Sequence, residues 1–215
     1  MRALLLVDLQ YDFCPGGALA VPHGDETIAV ARRLMPHFET VVATQDWHPS
    51  DHASFAANHP GASPGQVIEL DGLSQVLWPV HCVQGTRGAE LHEGIDRSRL
   101  AAVFRKGTDP RIDSYSGFYD NGHRKATGLG DWLAQRGVRQ LYVLGLATDY
   151  CVKSSALGAA SAGFAVTVVE DAVRAVDVRA GDGARALDEL RAAGVRITTS
   201  KQLLGEPEHG TDARR

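Results

Sequence analysis

Short apolar runs that each end in a polar or charged residue recur along this chain, and they restrict its fold more than any other feature. Residues 3–7 lead to Asp8, residues 40–44 run into Gln45 and Asp46, residues 100–104 end at Arg105, Lys106 and Gly107, and residues 141–144 lead to Gly145. A strand that is apolar without alternation is buried on both faces, as in a parallel sheet. Helical patterns separate these runs: residues 25–38 place Ile28, Ala31, Leu34 and Met35 on one side, residues 125–136 carry Leu129, Trp132 and Leu133, and residues 149–162 and 182–193 follow. With two more strands at residues 165–169 and 195–198, the pattern predicts a three-layer α/β/α fold around a mostly parallel six-stranded sheet. One domain over residues 1–204 is expected, with a long irregular loop over about 45–100 and a frayed tail at 205–215.

Charge and composition exclude several partners. The net charge is -4 and the Lys and Arg residues are scattered, so no nucleic-acid partner is expected. No apolar run approaches the ~20 residues of a membrane span and the N-terminus lacks a signal-peptide layout, so the expectation is a cytoplasmic protein without a membrane partner. Cys14, Cys82 and Cys151 cannot all pair internally, which argues against a disulfide framework.

In an open parallel sheet, ligands bind beyond the carboxyl ends of the strands. Asp8, Lys106 and Cys151 all fall there. Cys151 opens a helical stretch, where unpaired N–H groups and the helix dipole favour a thiolate nucleophile; a small buried hydrophobe is the other reading. Asp8 is a base for that thiol or a loop-capping carboxylate. Lys106 is a cation that holds Asp8 and lowers the thiol pKa, or a solvated surface lysine. Asp46, His48 and His81 have the ligand chemistry of a divalent transition metal, and His52 could add a fourth ligand; the alternative is a His-rich polar loop. Asp51 and His59 read as surface residues.

Five motifs in order, Val7–Gly17 (VDLQYDFCPGG), Asp46–Pro49 (DWHP), Trp78–Cys82 (WPVHC), Phe104–Gly107 (FRKG) and Gly145–Val152 (GLATDYCV), resemble those of the nicotinamidase (pyrazinamidase) family, cysteine hydrolases with the isochorismatase-like fold. The resemblance implies a catalytic triad of Asp8, Lys106 and Cys151 and a metal held by Asp46, His48 and His81. His52 falls near a histidine that ligates metal in some members. Phe13, Trp78 and Tyr115 correspond to the walls of the substrate pocket. A cis peptide before Ala147 and an oxyanion hole of the Ala147 and Cys151 N–H groups are also implied. The implied reaction converts nicotinamide, and pyrazinamide, to the acid and ammonia through a thioester, in NAD salvage. The implied cofactor is one divalent ion, zinc before iron or manganese, in a monomer or homodimer. Tyr11 and Tyr150 depart from the Asn and His of some members, which bears on substrate preference. A metal-independent amidase acting on carbamoyl or ureido groups, and a metal-binding or redox-sensing thiol protein, are the competing readings.

Overall fold

The computed structural model describes residues 1–206. In chain order the elements are β1 (Arg2–Val7), α1 (Glu26–Leu34), β2 (Thr40–Asp46), β3 (Val67–Leu70), β4 (Leu73–Val76), β5 (Ala102–Lys106), α2 (Leu129–Gln135), β6 (Gln140–Leu146), α3 (Lys153–Ser161), β7 (Ala165–Arg174), α4 (Asp182–Ala192), β8 (Arg196–Thr198) and α5 (Ser200–Leu204). Six strands form one parallel sheet in the order β5-β2-β1-β6-β7-β8, as the apolar runs predict.

Each side chain of β1 from Ala3 to Val7 enters one of two cores. Leu4 and Leu6 pack with Ile28, Ala31 and Leu34 of α1, whereas Ala3, Leu5 and Val7 pack with Leu129 and Leu133 of α2, Ala156 and Ala159 of α3 and Leu190 of α4. A central strand thus needs apolar residues at consecutive positions, each buried leucine contributing about 1.5–3 kcal/mol. The three layers follow from that requirement.

The chain winds outward from β1 through β2 to β5, then returns to β6 on the other flank of β1. That reversal opens a crevice at the carboxyl ends of β1 and β6. Gly145 allows the close approach there: a Cβ at this position would lie 2.1 Å from the Val7 carbonyl oxygen.

Two local expectations need revision. The stretch read as irregular contains the antiparallel hairpin of β3 and β4, joined at Asp71 and Gly72, both with positive φ. The segment Thr148–Val152 is a single π-helical turn, so regular α-helix starts only at Lys153. Of the tail, Gly205 ends α5 in the left-handed region, and residues 207–215 lie outside the described residues.

Candidate active site

Asp8 leaves the end of β1 with φ 48°, which turns its carboxylate back over the sheet edge. Thr44 of β2 fixes it twice, accepting the Asp8 N–H at 3.2 Å and donating its hydroxyl to Asp8 Oδ1 at 2.6 Å. Lys106, the last residue of β5, reaches across β2 with no side-chain exposure. Its Nζ lies 2.9 Å from Asp8 Oδ2, 2.8 Å from Asp46 Oδ1, 2.8 Å from the Ser114 carbonyl and 3.4 Å from Cys151 Sγ. The sheet therefore brings together the three residues at strand exits, as the sequence predicts, and adds Asp46 to the ammonium's partners.

Burial and charge set the protonation states here. Burial raises the Asp8 pKa and Lys106 offsets only part of that, leaving a stronger base than an ordinary carboxylate. Burial opposes the Lys106 charge, but Asp46 and Asp8 outweigh it and hold the ammonium charged well above its usual range. Burial also pushes the Cys151 thiol well up, against the pull of Lys106. Lys106 lowers the thiol pKa as expected, but desolvation and the Asp8 and Asp46 carboxylates outweigh it, so the net shift is upward. The resting sulfur therefore favours its protonated form, with the Lys106 ammonium 3.4 Å away.

Asp46, the last residue of β2, meets His48 and His81 on its other oxygen. His48 Nε2 lies 3.3 Å and His81 Nε2 3.8 Å from Asp46 Oδ2. Each ring uses Nδ1 for a backbone carbonyl, Gly107 for His48 and Pro79 for His81, both at 2.8 Å. An Nδ1–H donated to a carbonyl leaves Nε2 as a bare lone pair. Two lone pairs and a carboxylate oxygen thus converge, and His48 Nε2 is buried without a hydrogen-bond partner. Separations of 3.3–3.8 Å suit three ligands of one ion with bonds of about 2.0–2.2 Å. The residues present fit a transition-metal cation.

His52 does not join that set. Its ring packs on His48 at 4.3 Å between centroids, its Nδ1 is engaged by Ser54, and its ligand-capable nitrogen groups with His48 and Asp113. Burial and the neighbouring His48 lower its pKa to about 4, so it stays neutral.

Between the two groups lies a small cavity, about 370 Å3 with its mouth, walled by Phe13, Trp78, Tyr115 and Tyr150 and reached by Cys151, Ala147, Asp46, His81 and Asp113. Trp78 meets Tyr150 edge-on at 4.8 Å and donates its Nε1–H to Tyr115 Oη at 3.1 Å. The peptide Leu146-Ala147 is cis, as the resemblance implies. A wider groove along the outer edge of β5, with Trp47, Val103 and Arg105, holds none of these residues.

Four contributors escape sequence reasoning. Gln10 clamps the end of β2, accepting the Asp46 N–H and donating to the Asp46 carbonyl, both at 2.8 Å. Asp12 accepts the Cys82 N–H at 2.7 Å and so anchors the segment that carries His81. Asp113 lines the cavity, and Gln75 braces it from behind through a hydrogen bond of 3.1 Å. Gln10 and Asp12 stand inside a quoted motif, which was the available signal.

An isochorismatase domain model matches residues 2–202. The nicotinamidase of Escherichia coli (strain K12) is 52% identical over 202 residues, covering 92% of this chain and 94% of that one. A solved Acinetobacter baumanii nicotinamidase/pyrazinamidase superposes with a TM-score of 0.91 at 46% identity, over 94% of this chain and 97% of the other. The pyrazinamidase of Pyrococcus horikoshii in complex with zinc gives 0.76 at 37% identity, over 92% and 98%.

Proposed function

The chain belongs to the isochorismatase family, and from that premise we propose that its cavity hydrolyses nicotinamide to nicotinate and ammonia, and pyrazinamide likewise, through a thioester on Cys151. The observation that carries this reading is that Cys151, with Asp8 and Lys106 behind it, and the pair Asp46 and His81, with His48 behind them, face one aromatic-walled cavity. The reaction is that of a nicotinamidase and serves NAD salvage.

Asp8, made more basic by burial, takes the Cys151 proton while Lys106 balances the charge. The thiolate attacks the carboxamide carbon, and the Ala147 and Cys151 N–H groups receive the developing oxyanion, a contribution of about 3–4 kcal/mol. Asp8 returns the proton to the departing nitrogen, which leaves as ammonia. Asp8 then draws a proton from water, the hydroxyl adds to the thioester, and nicotinate leaves as the Cys151 thiol re-forms. Phe13, Trp78 and Tyr115 hold the flat ring, since an error of about 1 Å can cost ~10²-fold in rate. A divalent ion, zinc before iron or manganese, held by Asp46, His48 and His81 would supply a Lewis acid for the ring nitrogen, directly or through water.

No helix among the described residues is long and apolar enough to cross a membrane. We place the enzyme in the cytoplasm, as a monomer or homodimer. The test is ammonia release from nicotinamide by the purified protein, before and after chelation and metal add-back. Activity lost on chelation and restored by metal is the expected result. No turnover under any metal condition overturns the reading, and turnover indifferent to chelation overturns the metal's part in it.

A further inference from the structure

The hairpin of β3 and β4 has one buried strand residue, and that residue is polar. The other strand positions are exposed or half-exposed, whereas Gln75 is 3% exposed. A hairpin this short gains little from apolar burial, so what fixes it to the body of the protein matters.

Gln75 Nε2 lies 2.7 Å from the Val76 carbonyl, 3.1 Å from Asp113 Oδ2 and 3.3 Å from Tyr115 Oη. A carbonyl and a carboxylate can only accept, so the amide must turn its NH2 toward them, two hydrogens serving three acceptors. Tyr115 Oη also accepts the Trp78 Nε1–H. The phenol oxygen thus faces two donors, the Trp78 N–H and the shared Gln75 NH2, which orients the ring. Asp113 has no Lys or Arg in ion-pair reach among the described residues; its carboxylate accepts from Gln75 and from the Ser114 N–H at 2.7 Å. Tyr115, Trp78 and Asp113 all line the cavity, and Gln75 does not.

We propose that Gln75 is a positioning residue for the hydrolysis, holding Tyr115 and Asp113 in the cavity wall so that its loss weakens substrate holding far more than turnover. This rests on the nicotinamidase reading above. The hairpin then acts as a keyed wall of the substrate cavity.

The test compares steady-state ammonia release from nicotinamide by metal-loaded wild type, Gln75→Met, Gln75→Glu, Asp113→Asn and the double variant Gln75→Glu with Asp113→Asn. Methionine keeps the length and removes the donor. Its KM should rise about tenfold with kcat within about threefold, the size expected for a lost hydrogen bond to a charged group. Gln75→Glu opposes two carboxylates and should raise KM further. Exchanging donor and acceptor in the double variant should bring KM at least about threefold below that of Gln75→Glu. Near-UV circular dichroism, read without substrate, should change in Gln75→Met and recover in the double variant as the Trp78, Tyr115 and Tyr150 cluster re-forms. A Gln75→Met KM within twofold of wild type, a kcat loss as large as the KM rise, or a double variant no better than Gln75→Glu overturns the proposal. If Gln75→Met fails to fold, the Glu/Asn exchange decides. Absence of wild-type turnover sinks the nicotinamidase reading instead, and the dichroism then decides for or against Gln75.

Discussion

The two ends of the cavity settle their charges differently. At the thiol end, Lys106, Thr44, Asp8 and Cys151 match donors to acceptors within the chain. At the histidine end, Asp46 Oδ2 and the Nε2 atoms of His48 and His81 converge as acceptors, with the ring protons already given to Gly107 and Pro79. The first sets a carboxylate against an ammonium of the chain, with Asp8 Oδ2 making no hydrogen bond beyond that ion pair, and the second gathers acceptor atoms that suit a cation. Among the described residues Lys106 is the one group that pairs with both Asp8 and Asp46, so the two ends share an ammonium.

The largest effect should come from Cys151→Ala. Ammonia release is expected to fall by at least about 10⁴-fold, as losses of a catalytic nucleophile do. Metal content, read by elemental analysis, should stay at the wild-type level because the sulfur is not in the Asp46, His48 and His81 set, and its own grouping with Asp8 and Asp46 surrounds the Lys106 ammonium. A variant that loses its metal as well would break the distinction between the ends. Lys106→Met should damage both at once. It leaves Asp8 and Asp46 buried without their shared cation, a loss of about 3–5 kcal/mol that denaturant titration would register, with activity and metal lost together. Unchanged stability would mean the two carboxylates do not depend on that pairing.

Gly107→Ala should act on the histidine end alone. Gly107 has φ +62°, and a Cβ there would lie 2.3 Å from His48 Cε1, while its carbonyl accepts from His48 Nδ1. Displacing that partner should weaken metal binding by about 10- to 100-fold, the usual cost of disturbing what orients a ligand. A competition titration with a chromogenic chelator measures it, and wild-type affinity would show that His48 needs no such support.

How much of this was legible in the sequence depends on distance along the chain. The strands were, because a sheet buried on both faces demands uninterrupted apolar runs such as residues 3–7. The convergence of Asp8, Asp46 and Lys106 was, because parallel strands deliver all three to one edge whatever the loops do. The hairpin of β3 and β4 had a signal in Asp71-Gly72, whose positive φ values suit a tight two-residue turn, but Glu69, Ser74 and Gln75 blurred the alternation around it. The thiol's raised pKa could not be read, since desolvation is set by everything packed around Cys151. Gln75 was illegible for a similar reason: its partners Asp113 and Tyr115 lie 38 and 40 residues away. The cis peptide came from resemblance alone.

The smallest effect, and the finest test of the contrast, is in the pH profile. kcat/KM reports the free enzyme, so it should fall on the acid side as Asp8 takes a proton. Burial raises the Asp8 pKa, so that limb should lie above the ordinary carboxylate value of about 3.9. Burial raises Cys151 well beyond the usual thiol value of about 8.5, so the alkaline limb should not begin there. The histidine end adds its own acid loss by a different route. Burial disfavours a charged His48, but Asp46 outweighs it and raises the His48 pKa, so protons compete with metal for Nε2 as pH falls. Excess metal should therefore move the acid limb downward until it reaches the Asp8 limit and then stop. A limb that excess metal leaves unmoved would assign the acid loss to Asp8 alone. One that keeps moving below the ordinary carboxylate range would remove Asp8 as the base.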